Sequence, residues 1–348
     1  MTAFDFRTET DSCATIDIDW AKLDNKTIMI TGATGLVGRY LTEVLLKRNE
    51  IKGIHTKIIA VGRNKEKYEK TLSGLRGAED VEFLQHDVSQ PCQYSGHIDY
   101  IIHMASNTHP RLYATDPIGT ELTNILGTHY LLELAAKNPG CRFVFTSSGD
   151  IYGDNRSNKE FLSEKDCGYI DCNTLRAGYI EGKRASEALC NAYHESKGVD
   201  FVIARLCRIY GATMNMEDSK AISQFIHNAI YNDDIVLKSE GKQTFSYLYV
   251  SDVVSALLTI MASGICGAAY NVADNAQVLS LRELAEILAE IGGRKVIFDL
   301  PDEVEKKGAS SFQNVKLDGS KLKLLGWESR VDLKSGLAHT VQQLKDMK

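Results

Sequence analysis

Residues 27–38, TIMITGATGLVG, leave a chain few choices. An apolar run at 27–32 opens into closely spaced glycines and then into an amphipathic stretch over 36–47, which reads as strand, tight turn and helix. Gly32 permits the turn, Gly35 lets backbone approach a ligand, and Gly38 lets the helix pack closely on the sheet. The start of such a helix offers free N–H groups and a positive dipole end, which suit a pyrophosphate. The same Gly-x-x-Gly-x-x-Gly spacing occurs in plain strand-to-helix turns; with a strand before it and a helix after it, dinucleotide binding is the favoured reading.

That unit recurs along the chain. β-branched or aromatic runs at 57–61, 81–84, 100–104, 142–145, 201–206 and 269–272 alternate with helix-period segments at 119–137, 178–197 and 252–263. The alternation predicts an α/β fold with right-handed crossovers and an open, doubly wound parallel sheet of about seven strands. After residue 212 the rhythm breaks. Residues 25–212 plus 248–274 are expected to form the dinucleotide-binding domain, 213–247 plus 275–348 a smaller lobe over the strand carboxyl ends, and 1–24 a leader or surface arm. A net charge of −6 with scattered Lys and Arg leaves no basic footprint for nucleic acid or an anionic membrane. No long apolar run and no signal peptide are visible, so a cytoplasmic protein is expected. The eight cysteines show no Cys-x-x-Cys or Cys/His spacing, so neither a metal site nor a disulfide framework is expected.

At the end of the second strand, where a carboxylate would hold the adenosine ribose of NAD, the chain has Arg63. Arg63 would meet the 2′-phosphate of NADP or simply stand on the surface. Asp87 ends the third strand, either to accept from an adenine amino group or to cap a turn. Tyr179 and Lys183 lie four apart on one helix face, where an ammonium would favour the phenolate that removes a sugar hydroxyl proton. Ser148 ends an apolar strand, as a hydroxyl for substrate or as a local cap.

Taken in order, TGATGLVG, HDV, HMAS (103–106), the Asn124 segment, TSSGDIYG (146–153), YIEGK (179–183) and YLYVSDV (247–253) resemble the extended short-chain dehydrogenase/reductase family. Within it they resemble the NAD-dependent epimerase/dehydratase group that acts on nucleotide sugars. HDVSQP (86–91), LRAGYIEGKRASEALCNAY (175–193) and GKQTFSYLYVSD (241–252) are similar to the branch that decarboxylates UDP-glucuronate. The resemblance implies a Rossmann-type domain in which Gly32, Thr34, Gly35, Leu36, Val37, Gly38, Arg63, Asp87, Val88, Met104, Ala105 and Ser106 hold NAD, or NADP. It makes Tyr179 the base, Lys183 its partner and nicotinamide-ribose ligand, and Ser148 the hydroxyl that shares the substrate's proton. Asp150 falls where decarboxylases and dehydratases carry a glutamate beside sugar carbon 5; the Gly149-Asp150 pair, without the dehydratases' Asp-Glu, disfavours 4,6-dehydration. Phe245 replaces the arginine that meets the substrate diphosphate, so Arg208 is expected to bind an anion, diphosphate or sugar carboxylate, unless it is a bare surface arginine. A homodimer through the two long helices is implied as well. Oxidation at carbon 4 would be followed by decarboxylation or epimerisation; the alternatives are an NADPH-dependent reductase of a keto-sugar nucleotide and a non-catalytic dinucleotide-binding protein.

Overall fold

The structure, a computed structural model, describes residues 6–108, 110–156, 159–216, 218–299 and 314–347. Residues 1–5 of the expected arm and 300–313 of the expected C-terminal lobe, with Pro301, lie outside the described residues. The strands are β1 (Thr27–Thr31), β2 (Lys57–Gly62), β3 (Val81–Gln85), β4 (Tyr100–His103), β5 (Arg142–Ser148), β6 (Asp200–Leu206), β7 (Arg208–Tyr210), β8 (Ile235–Leu237), β9 (Thr244–Tyr249), β10 (Ala269–Val272), β11 (Val278–Ser280), β12 (Val296–Phe298) and β13 (Asn314–Val315). The helices are α1 (Phe6–Cys13), α2 (Leu36–Lys52), α3 (Lys65–Thr71), α4 (Pro110–Thr115), α5 (Pro117–Ala136), α6 (Ala177–Lys197), α7 (Ala221–Tyr231), α8 (Val250–Ser263), α9 (Leu281–Gly292), α10 (Ser320–Lys323) and α11 (Leu333–Asp346).

Seven strands form a parallel sheet in the order β10-β6-β5-β4-β1-β2-β3. Ile28, Met29, Ile30, Ile58, Ile59, Phe143, Val144, Phe201 and Val202 are fully buried on alternating sides, because helices cover both faces. One side carries α5 and α6 over a core that includes Leu131, Leu132, Phe143 and Cys190; the other carries α2 and α8. The chain winds outward from β1 to β3, then crosses to β4 and winds the other way. The strand order therefore reverses between β1 and β4, and a crevice opens at their carboxyl ends.

A second sheet grows from that same edge. β6 ends at Leu206, the register partner of Ser148, and β7 begins at Arg208; β7 pairs with β9, which also pairs with β11 and β13. A two-stranded sheet of β8 and β12 joins α7, α9 and α11 around it.

The N-terminal segment departs from the expected surface arm. α1 packs on α2 and α8, and Cys13, Ala14, Ile16, Trp20 and Leu23 are buried. Arg48 holds this segment from α2, its guanidinium 2.8 Å from the Asp24 carboxylate and 4.2 Å from the centre of the Trp20 ring. Glu9 is buried 2.7 Å from His339 Nδ1 on α11 and accepts from the Tyr249 hydroxyl at 3.0 Å. A polar, acidic stretch gains burial because its carboxylate finds partners far along the chain. No helix among the described residues is long and apolar enough to cross a membrane.

Candidate active site

The turn between β1 and α2 leaves no room for side chains. Gly32 has φ +72°, and a Cβ there would stand 3.1 Å from Met104 C and Ala105 N. A Cβ on Gly38 would lie 2.3 Å from the Gly32 carbonyl oxygen, so helix and turn touch backbone to backbone. Gly35 caps α2 and donates its N–H to Gly32 O at 2.9 Å. Thr31 latches the end of β4 to this turn: its Oγ1 accepts the N–H groups of Met104 and Ala105, both at 3.1 Å, and lies 2.9 Å from His103 Nδ1. One hydrogen is shared between the Thr31 hydroxyl and His103 Nδ1. Burial pulls the His103 imidazole down to about 3, with the Lys183 charge adding to the effect.

Across the crevice, β5 delivers Ser148 at its carboxyl end, where it caps a short 3₁₀ helix, Gly149–Tyr152, by accepting the Asp150 N–H at 3.1 Å. α6 brings Tyr179 and Lys183 to the same place, both nearly fully buried. Lys183 Nζ donates to the Thr146 carbonyl at 2.8 Å and stands 4.7 Å from the Phe145 ring centre; burial lowers it to about 7. The Tyr179 hydroxyl faces Ser148. Burial pushes it up to about 12 and the Asp150 carboxylate pushes the same way, while the Ser148 hydroxyl and the Arg176 charge pull it back. Asp150 is itself paired with Arg176 at 3.0 Å. Tyr113 stacks on Tyr179, with ring centres 4.9 Å apart and planes at 22°.

The glycine turn fits the pyrophosphate of a dinucleotide, since added side chains would fill that cradle, and β5 and α6 bring a serine, a tyrosine and a lysine to the same end of the sheet. A model of the NAD dependent epimerase/dehydratase family matches residues 28–273. The chain belongs to that family. Two relatives of this epimerase/dehydratase are UDP-glucuronic acid decarboxylase 1 of Xenopus tropicalis, 32% identical over 92% of this chain and 73% of its own length, and UDP-glucuronic acid decarboxylase 3 of Arabidopsis thaliana, 31% identical over 90% and 87%. Among solved structures, an epimerase of Methanothermobacter thermautotrophicus superposes with TM-score 0.79 over 99% of this chain and 97% of its own at 22% identity. A UDP-glucuronic acid 4-epimerase of Bacillus cereus does so with 0.76 over 92% and 100% at 20% identity. These two likenesses speak for the Rossmann-type fold. The chain is accordingly an enzyme of an NAD-dependent family.

Around the crevice of this epimerase/dehydratase, Thr34, Leu36, Val37, Met104, Ala105 and Ser106, the residues expected to hold the cofactor, are half-buried, and Val88 is buried. Ser106 donates to Asn124 Oδ1 at 2.8 Å, and Arg63 is exposed at the end of β2. Asp87 accepts from Ser89 N and Oγ; burial alone would raise its carboxyl, but those bonds and the Arg63 and His86 charges hold it below the usual range. Ser148, Asp150, Tyr179 and Lys183 come together, whereas Arg208 stands on β7. Its guanidinium lies 3.7 Å over the Phe245 ring, beside Tyr247, its register partner on β9. Arg208 Nε and the Tyr247 hydroxyl are buried without a hydrogen-bond partner among the described residues. The sequence reading missed Tyr113, Arg176 and Tyr247. Arg176 sits three residues before Tyr179, a helical spacing that could have flagged it; nothing in the local sequence marks Tyr113. No cluster of three or more His, Cys, Asp or Glu suited to a metal occurs among the described residues.

Proposed function

We propose that this chain acts on a nucleotide sugar, oxidising carbon 4 and releasing carbon dioxide from carbon 5 of UDP-glucuronate. The observation that carries the reading is the convergence of the buried Tyr179 with Ser148 and Asp150, which are themselves joined by the Asp150 N–H to Ser148 Oγ bond at 3.1 Å. Relatives 31–33% identical over at least 90% of the chain, all named UDP-glucuronic acid decarboxylases, support it. Residues 32–38 and 104–106 would hold NAD, with Lys183 at its ribose, and the bound cofactor would accept the hydride from carbon 4 and later return it. Tyr179 takes the proton from the 4-hydroxyl, and Ser148 holds that oxygen in line and shares the proton. Once carbon 4 is a ketone, the carboxyl on carbon 5 belongs to a β-keto acid, and it leaves as carbon dioxide because the carbonyl stabilises the electron pair left behind. A proton from solvent, relayed by Asp150, would then be returned to carbon 5. Arg208 and Tyr247, two buried donors in need of an acceptor, would bind the substrate's diphosphate or carboxylate.

Epimerisation at carbon 4 is the second reading, favoured by one observation: the Asp150 carboxylate is engaged by Arg176 and is one methylene shorter than the glutamate it replaces. Incubation with NAD+ and UDP-glucuronate separates the two. Loss of carbon dioxide, read by mass spectrometry, supports decarboxylation; an isomer of unchanged mass supports epimerisation, and recovery of unchanged substrate counts against both. Tyr179→Phe is expected to slow turnover roughly 10²–10⁴-fold while leaving NAD+ binding intact. Two copies are proposed to pair through the outer faces of α5 and α6, where Leu122 and Ala188 are exposed.

A further inference from the structure

Arg176 immediately precedes α6, so its side chain lies a turn below Tyr179. Its guanidinium meets the Asp150 carboxylate at 3.0 Å and stands 5.7 Å from the centre of the Tyr113 ring, whose other neighbour is Tyr179 itself. Asp150 is also tied to Ser148, which faces the Tyr179 hydroxyl, since Ser148 Oγ accepts the Asp150 N–H at 3.1 Å. A cation and an anion thus flank one buried phenol. The anion opposes loss of its proton and the cation favours it, in surroundings where little water screens either charge.

We propose that Asp150 and Arg176 act as one unit that sets how tightly Tyr179 holds its proton, with Arg176 as a positioning residue that balances the Asp150 charge. The inference rests on the assignment of Tyr179 as the base. The groups facing Tyr179 are few: Ser148 and Asp150 from the 3₁₀ turn, Tyr113 from α4, and Arg176 and Lys183 from α6, with Asp218 beyond Tyr113. Lys183 donates to the Thr146 carbonyl, and the carboxylate and the guanidinium are the two opposed charges that act on the phenol. A neutral pair of this kind explains how the chain keeps an acid beside its base without disabling it.

The test needs no sugar. Protein labelled with ¹³Cζ-tyrosine is loaded with NAD+ and titrated by NMR over the pH range in which its far-UV circular dichroism is unchanged, the Tyr179 signal being the one lost in Tyr179→Phe. Arg176→Gln is expected to move the Tyr179 titration about one unit to higher pH, and Asp150→Asn about one unit lower. The double variant should return close to the parent, and Arg176→Lys, which keeps the cation, should stay near it. Coincident behaviour in all these proteins, including no titration in any, overturns the proposal, as does a double variant displaced as far as Arg176→Gln alone. Because the signal is read without substrate, failure here is separate from failure of UDP-glucuronate to turn over.

Discussion

His103 shows what a single side chain can be asked to do. It is fully buried, its Nδ1 is fixed by Thr31, and burial holds it at about 3 against an ordinary value of 6.5. The folded state therefore keeps it neutral while the unfolded chain takes up a proton as pH falls below 6.5. Stability is lost on acidification from 6.5 towards 3, by up to about 1.4 kcal/mol per pH unit for this one group. Urea unfolding at a series of pH values should show a shallower acid slope in His103→Asn than in the parent; an unchanged slope would remove His103 from the account. Gly38 gives a steric counterpart. A Cβ there would collide with backbone that cannot swing aside, so Gly38→Ala should cost about 2 kcal/mol or more and abolish the thermal shift produced by NAD+. The sequence made Tyr179, Lys183 and the glycines legible because their spacing within one element carries the signal. Arg176 with Asp150, Tyr113 with Tyr179, and Arg208 with Phe245 and Tyr247 meet across separate elements, and local spacing does not encode such meetings.

At the scale of elements, runs such as KIIAV and RFVF were readable as strands because both faces of the sheet are covered, so nearly every residue in them is apolar. α1 was not readable that way. FRTETDSC has no apolar stripe, and Glu9 is intelligible as a buried residue only beside His339 and Tyr249. The segment that follows is anchored by Trp20, which donates Nε1–H to Ile16 O at 2.8 Å and lies under the Arg48 guanidinium. Trp20→Ala should lower stability by about 3–5 kcal/mol, a core-sized loss that a dangling arm would not show. Equilibrium denaturation measures it directly.

For the molecule as a whole, the crevice at the strand carboxyl ends is walled by the β1–α2 turn on one side and by β5, α6 and β7 on the other. A dinucleotide bridging these walls ties elements from both halves of the sheet, and NAD+ at a hundred times its Kd should add about 2.7 kcal/mol of stability by mass action. Calorimetry with and without NAD+ reads that gain. Pairing through α5 and α6 predicts that Ala188→Arg, on an exposed position of α6, halves the mass seen by light scattering without altering the thermal transition of the subunit. The contact of α1 with the far end of the chain carries a different consequence. Ser12 bonds to Arg330, 318 positions later, and Glu9 reaches α11. During synthesis the first helix emerges from the ribosome long before its partners exist, so its carboxylate must wait in solvent. The lock closes only after Arg330 and His339 have left the exit tunnel, so the seating of α1 follows the synthesis of every element that lies between it and them.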